Sequence, residues 1–324
     1  MACQTTGSLD IGAPPVGWTY LWPPISQMLR RSLLILALAL TAATASGKES
    51  APCAHVLEAG QPVVHRSAPA SQLLCYRAFA VLYSGETRTA LWSAERLTGA
   101  AADAARSLPR DSDFYEEDRV PPADRAKLKD YARSGMDRGH LAPSGDFADK
   151  ASQAESFSLA NVVPQDKDSN RRTWSHIETS TRRLARQYGV IHVVTGPAFT
   201  RDSRMLNDRV RIPAFLWKAI YVPGLGAAAY VVRNDATPAY SVTSIEALAQ
   251  FSGVDPFPAL PRSQRAAAID LPPPTPHPGE KVARRVPFAA LVSGGNTDVG
   301  NKESLDALAQ RAGGLAIRVA AFLR

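Results

Sequence analysis

One segment, residues 169–188, constrains the fold more than any other part of this 324-residue chain. Bulky side chains recur within it at steps of three and four residues, a spacing that places them along one face of an α-helix. They are Trp174, Ile177, Thr181, Leu184 and Tyr188. Arginines cover much of the rest of the segment, and they would face either solvent or a phosphate-bearing partner. The spacing makes this segment the strongest helix prediction in the chain.

Strand-type sequences lie on both sides of this helix. Aromatic and β-branched runs that stop at Ser84-Gly85 and at Pro223-Gly224 predict two β-hairpins. Strands are predicted at residues 76–83, 87–97, 190–194, 215–222 and 227–232, and shorter helices at residues 121–131 and 244–251, with Leu128 facing inward in the first of them. Helices and strands are therefore both expected in the folded domain.

The first 45 residues are expected to lie outside that domain, as an upstream segment followed by a signal peptide. After Met28, two arginines precede the apolar residues 33–40, and the small residues Ala43-Thr44-Ala45 follow. This order is typical of a secretory signal with an A-x-A cleavage site. The apolar run is shorter than the roughly 20 residues of a membrane span, so no stable membrane insertion is expected after cleavage. The sequence therefore predicts a periplasmic or secreted protein.

Composition limits the kinds of partner and metal site that this chain can have. Lysine and arginine number 37 against 30 acidic residues, and the formal net charge of +7 favours a polyanionic partner. Three cysteines exclude a disulfide scaffold, and the absence of a C-x-x-C pair leaves oxygen and histidine as the main metal ligands. After signal cleavage only Cys53 and Cys75 remain, and in an exported protein we expect them to pair.

Residues 262–324 differ in composition from the predicted domain at residues 46–261. Prolines at positions 272–274, 276 and 278 predict a linker without regular structure. Between residues 302 and 324, apolar residues recur at helical spacing, so one face of a helix would need cover. That face could dock on its own domain, pair with a second copy to form a homodimer, or bind a membrane surface. Its few arginines favour the first two possibilities.

The most informative string is Asp-Arg-Gly-His-Leu-Ala-Pro at residues 137–143. It resembles the signature of the DNA/RNA non-specific endonuclease family, and residues 161–178 resemble that family's N-x-x-P-Q … N-x-x-x-W-x-x-x-E pattern. Arg171 departs from the pattern, since the family usually has glutamine there. The resemblance covers residues 53–261. It implies an α+β fold with a mixed sheet core and a ββα-metal (His-Me finger) active site.

Hydrolysis of a phosphodiester requires a base, a cation and positive charge around the phosphate. His140 suits the base, because imidazole is largely neutral at neutral pH. Arg138 could present its planar fork to phosphate oxygens, although an arginine there could instead pair with Asp137. The resemblance also implies an upstream arginine at the phosphate. Arg110 is the nearest match, with Arg106 as a competitor.

Asn170 is the expected metal ligand, because Mg²⁺ keeps several waters and takes few neutral oxygen ligands. Mn²⁺ is expected to substitute for Mg²⁺. Its alternative role is a helix cap. Glu178 lies two helical turns further on, and the resemblance implies that it holds water around the ion. Glu178 could instead form a salt bridge with Arg182. Asn161 is expected to position the histidine loop or the scissile phosphate, or to serve only in a turn.

The sequence therefore predicts a Mg²⁺-dependent, sugar-non-specific endonuclease that recognises DNA and RNA through the backbone. One alternative is a non-catalytic nucleic-acid-binding protein with the same fold. Another is a zinc-dependent phosphoesterase, which ranks last because the chain has no H-x-x-x-H or H-x-H grouping. The other histidines, at positions 55, 65, 176, 192 and 277, are predicted to be structural or on the surface.

Overall fold

The computed structural model describes residues 53–65, 68, 70–109 and 112–293. The strands are β1 (Val63–Val64), β2 (Ser71–Cys75), β3 (Phe79–Ser84), β4 (Thr89–Thr98), β5 (Asp137–His140), β6 (Val162–Gln165), β7 (Val190–Ala198), β8 (Met205–Leu206), β9 (Val210–Arg211), β10 (Phe215–Val222), β11 (Gly226–Arg233), β12 (Ala239–Thr243), β13 (Val254–Asp255) and β14 (Arg284–Arg285). The α-helices are α1 (Gly99–Ala104), α2 (Leu128–Tyr131), α3 (Lys150–Glu155), α4 (Ser175–Tyr188), α5 (Ile245–Ser252), α6 (Arg262–Ala266) and α7 (Phe288–Ser293).

An eight-stranded sheet forms the centre, in the order β14-β12-β11-β10-β7-β4-β3-β2. Neighbouring strands are antiparallel except β12 and β14, which are parallel, so the sheet is mixed as predicted. Both predicted hairpins and the strand that begins at residue 190 are confirmed. The fold is α+β.

The sheet has a packed layer on each face, because successive side chains of a strand point to opposite sides. On β10, Leu216 and Ile220 join one apolar cluster, whereas Phe215 and Trp217 join the other. The first cluster also contains Leu141, Trp174 and Ile177, from the signature segment and the predicted helix. The second is covered by α5 and α7. The signature and its helix therefore pack in the same layer.

The predicted helix at residues 169–188 is present, but its first part is π-helical over Ser169–Trp174 before α4 begins. Asp166 caps it, since its carboxylate accepts hydrogen bonds from the backbone N–H groups of Asp168 at 2.9 Å and Ser169 at 3.0 Å. Asn170 lies inside the helical segment, so the alternative of Asn170 as the cap is wrong. A π-helical turn often marks a functional position in a helix.

The prediction of a helix over residues 121–131 is wrong, because only α2 is helical there. Side chains form hydrogen bonds with backbone groups that would have paired within a longer helix. The Tyr83 hydroxyl accepts a hydrogen bond from the Ala126 N–H at 2.9 Å, and Arg125 donates to the Val120 carbonyl at 2.9 Å. Leu128, predicted to face inward, is exposed.

The predicted disulfide between Cys53 and Cys75 is confirmed, with the two Cα atoms 5.4 Å apart. It connects the turn that precedes β1 to the end of β2. In the described part of the chain, no helix has the length and apolarity that crossing a membrane requires.

The described part of the tail packs on the sheet. Residues 271–283 contain no helix or strand, as their prolines predict, but β14 pairs with β12, and Leu271, Leu291 and Val292 are buried. The predicted signal peptide and the predicted helix at residues 302–324 lie outside the described residues.

Candidate active site

The signature forms the first strand of a hairpin, in which β5 pairs antiparallel with β6. The alternation of side chains along β5 places Arg138 and His140 on one face and Asp137 on the other. Gly139 faces Gln165 so closely that a Cβ at this position would collide with the Gln165 side chain. Glycine is therefore required between the arginine and the histidine.

His140 and Arg138 share an aromatic environment. His140 is 7% exposed, and its ring centroid lies 5.2 Å from that of Phe114 and 5.0 Å from that of Phe157. The Arg138 guanidinium carbon lies 5.2 Å from the Phe114 ring centroid and 5.6 Å from that of Tyr131. Aromatic faces attract the cation without neutralising it. Arg138 therefore keeps its charge for an anionic ligand, whereas Asp137, its alternative partner, forms an ion pair with Arg171.

Asn161 holds the loop that follows His140. Its Oδ1 accepts a hydrogen bond from the Ala142 N–H at 3.1 Å, and its Nδ2 donates to the carbonyls of Ala142 at 2.8 Å and Ser156 at 2.9 Å. The side chain is fully buried. Because its amide is occupied by the backbone on both sides, this geometry favours a role in positioning the histidine loop over direct contact with phosphate.

Asp137 orients Asn170. The Asn170 Nδ2 donates to Asp137 Oδ2 at 3.0 Å, while Arg171 donates to both oxygens of the same carboxylate at 2.8 and 2.9 Å. Partial burial raises the pKa of Asp137, but the hydrogen bonds from Arg171 and Asn170 outweigh it, so the pKa is below its usual value. A carboxylate accepts only, so the amide nitrogen must face it. The amide oxygen of Asn170 is thereby left for a cation, and Arg171, in place of the usual glutamine, contributes to this arrangement.

Arg182 connects the helix to the loop after the signature. It donates to Asp146 Oδ1 at 2.9 Å, and the Asp146 side chain is 1% exposed. Burial lowers the pKa of Arg182, but Asp146 and the nearby carboxylate of Glu178 raise it above its usual value. The sequence indicated Arg182 only as an alternative partner for Glu178. The structure pairs it with Asp146, and Glu178 is near enough to raise its pKa as well.

Two buried ionisable side chains, Glu95 and Lys218, lie beneath the loop that follows the signature, and they were not identified from the sequence. Burial, and then the Asp146 carboxylate, hold the pKa of Glu95 well above its usual value, although Lys218 acts in the opposite direction. The ammonium of Lys218 is fully buried and donates to Thr195 Oγ1 at 2.7 Å and to the Leu141 carbonyl at 3.3 Å. The only signal in the sequence is a charged residue type within each predicted strand.

Two carboxylates thus join the signature segment, residues 137–146, to the helical segment at residues 169–188. Asp137 contacts Asn170 and Arg171 at one end, and Asp146 contacts Arg182 at the other. Arg110 lies outside the described residues, and its competitor Arg106 is exposed in a 3₁₀ turn. The role of an upstream arginine therefore stays a prediction.

The same fold occurs in a solved structure described as an EndoG/EndoGI complex. It matches with a TM-score of 0.58 and 23% identity, over 65% of this chain and 93% of that one. The chain is also 37% identical to a nuclease of Syncephalastrum racemosum over 175 residues, which are 53% of this chain and 52% of that protein. It is 31% identical to the mitochondrial endonuclease G of Bos taurus over 208 residues, 57% of this chain and 68% of that protein.

These relatives correct the predicted location. Besides the bovine protein, relatives from human, Saccharomyces cerevisiae and Schizosaccharomyces pombe are named as mitochondrial nucleases. The prediction of a periplasmic or secreted protein is therefore wrong. It depended on residues 28–45, whose order of basic, apolar and small residues resembles a secretory signal.

The sequence profile of one family matches most of the described domain, over residues 62–263. That range includes the signature hairpin, the helical segment and every described residue of the candidate site. The family acts on nucleic acids, and its nucleases depend on a metal ion. On this match, and on the fold and relatives that agree with it, the chain belongs to the DNA/RNA non-specific endonuclease family.

Proposed function

We propose that this protein is a Mg²⁺-dependent endonuclease that hydrolyses phosphodiester bonds of both DNA and RNA. The chain spans about half the length of the fungal nuclease named above (52%), so the activity is inferred from the site. One observation supports this activity most directly. The strand with Arg138 and His140 is joined through Asp137 to Asn170, and its following loop is joined through Asp146 to Arg182, next to Glu178.

In this proposal His140 removes the proton from the attacking water. A positioned general base of this kind contributes roughly 10²- to 10⁴-fold to a rate. Arg138 binds non-bridging oxygens of the phosphate, where its fork stabilises the charge that develops in the transition state. Asn161 keeps the histidine loop in place, and Arg110 contributes a second phosphate contact. Arg182 adds positive charge beside Glu178.

The donor set fits a hydrated magnesium ion. Asn170 would supply one neutral oxygen, because its amide nitrogen is engaged by Asp137. The half-buried Glu178 would hold water around the ion, since a carboxylate accepts hydrogen bonds from it. The ion would supply charge for the phosphate and the leaving oxygen, and Mn²⁺ should replace it because it takes the same oxygen ligands.

Both polymers are accommodated because the site residues suit phosphate rather than bases. Phosphate contacts carry no sequence information, and the formal net charge of +7 favours binding to any nucleic acid. Residues 302–324 are proposed to dock on this domain or on a second copy of it. They have no part in the hydrolysis.

Cleavage of supercoiled plasmid and of RNA, followed on gels with and without EDTA, tests this function. We expect both polymers to be cut, EDTA to abolish cutting, and added Mg²⁺ to restore it. Robust cleavage by metal-free protein would contradict the metal requirement. Binding of both polymers without cleavage under any condition would instead support the alternative, a non-catalytic nucleic-acid-binding protein.

A further inference from the structure

A proline-rich stretch after the family match lies along helix α4. We call residues 272–280 the strap. The Ser180 hydroxyl donates to the Pro273 carbonyl at 3.0 Å, and the Thr275 N–H lies 2.9 Å from Ser180 Oγ and 3.2 Å from the His176 carbonyl. These contacts keep the strap beside the helix without any regular structure of its own.

A group of potential metal ligands lies where the strap meets the helix. His176 contributes from α4, and His277 and Glu280 contribute from the strap, with ligand atoms that all lie within 4.8 Å of one another. His176 is 1% exposed, whereas the other two are exposed. Its Nε2 lies 2.5 Å from Glu280 Oε2, and the two imidazole rings have centroids 5.1 Å apart. None of the three has a role in the proposed hydrolysis.

The chemistry of this group suits zinc. Two imidazoles and one carboxylate form the ligand set of zinc sites that have three protein ligands and leave the fourth position to water. Ligands at about 2.0–2.1 Å from a tetrahedral ion lie about 3.3 Å from one another. The three side chains would need only small movements to reach such positions, and two of them, His277 and Glu280, are exposed. Their exposed side also leaves room for a water ligand.

We propose that His176, His277 and Glu280 bind one Zn²⁺ ion that joins the strap to helix α4. The site faces away from Glu178, because His176 and Glu178 are two positions apart and so point about 200° from each other around the helix. In this proposal the ion holds the strap against the helix, and water completes its coordination. The bound ion would connect a segment near residue 280 to the helix whose other face contributes to the hydrolytic site.

The test uses the full chain, stripped of metal by a chelator and then titrated with zinc chloride by calorimetry. The Asn170→Ala variant removes the proposed magnesium ligand, and zinc should still bind it with a stoichiometry of one. Zinc at about a hundred times its dissociation constant should raise the melting temperature by about 5 °C or more.

His277→Ala and Glu280→Gln should each weaken zinc binding at least tenfold. The exposed His65 provides the matched control, and His65→Ala should bind zinc like the wild type.

The outcomes separate this site from the hydrolytic one. His277→Ala should cleave plasmid in Mg²⁺ at the wild-type rate, so failure of the zinc proposal leaves the proposed function intact. Zinc binding that is lost in Asn170→Ala but kept in His277→Ala would place the ion in the hydrolytic site and overturn the proposal. An absence of zinc binding to the wild type at micromolar concentrations would also overturn it.

Discussion

Two sides of one helical segment are assembled in different ways. Asn170 and Arg182 contact residues 33 and 36 positions earlier in the chain, in the signature segment. His176 and Ser180 contact the strap, which lies 93 to 104 positions later. The first set is close enough in sequence to form a recognisable motif. The second exists only because the chain returns to the helix, so no local pattern indicates it.

The largest effect should come from the signature side. His140→Ala should lower the cleavage rate at least about a hundredfold, because the water would lose its base. The rate is measured on plasmid at saturating Mg²⁺, with nucleic-acid binding followed separately by fluorescence anisotropy. Binding should persist.

The matched variant for this comparison is His277→Ala, which removes a histidine from the strap side. Its cleavage rate should equal that of the wild type. Equal losses of cleavage rate in the two variants would show that the two sides of the helix do not differ in function. Near-normal turnover in His140→Ala would rule out the role of His140 as the base.

A second experiment concerns the buried contact at the C-terminal part of the signature segment. Asp146→Ala leaves the largely buried Arg182 without its carboxylate, so it should lower the free energy of unfolding by about 3 kcal/mol. Asp103→Ala removes an exposed partner of Arg186 on the same helix, and it should cost less than about 1 kcal/mol. Urea denaturation of both variants measures the difference. Similar losses would show that burial does not set the strength of these pairs.

A third experiment uses the buried Glu95 beneath the site. Its raised pKa means that the unfolded chain releases this proton at a lower pH than the folded chain does. The wild type should therefore lose stability relative to Glu95→Gln as pH rises above about 4.3, by up to about 1.4 kcal/mol per pH unit. Unfolding free energies between pH 4 and 8 measure the effect. Parallel stability profiles for the two proteins would contradict it.

Glu117 provides a control, because its effect on stability should change with pH in the opposite direction to that of Glu95. Burial raises its pKa, but hydrogen bonds from Arg119 and Tyr76 outweigh this and lower the pKa to about 2. Its contribution to stability is present above the unfolded pKa and is lost as pH falls towards 2. Wild type should therefore exceed Glu117→Gln in stability at neutral pH, and the gap should close in acid.

Much of the site could be predicted from local sequence. The signature, Asn170 and the helical segment were located because motif residues and helical spacing are properties of short stretches. The π-helical turn was not predicted, since it accompanies contacts from Asp137 and Asp166 that spacing does not encode. The shortening of the helix at residues 121–131 likewise involves the hydroxyl of Tyr83, about 40 residues earlier.

The buried charges were missed for a different reason. Glu95 and Lys218 lie within strands whose neighbours are apolar, and a strand pattern assigns such residues to the sheet without saying what they meet. Each becomes interpretable only when the loop with Leu141 and Asp146 lies above it. The same limit applies to His176 and His277, which are 101 positions apart.

The smallest effect should come from residues 294–324. A chain that ends at Ser293 keeps Leu271, Leu291 and Val292, which are 1%, 4% and 2% exposed. It should cleave plasmid at the wild-type rate, because Arg182 is the last described residue of the proposed site.

A chain that ends at Arg262 loses all three side chains, each of which contributes roughly 1.5–3 kcal/mol through burial, and it should therefore unfold more readily. Thermal melts and cleavage rates of the two truncated chains distinguish the effects. Loss of cleavage by the folded chain that ends at Ser293 would mean that residues 294–324 take part in the reaction, and that the hydrolytic site also depends on contacts distant in sequence.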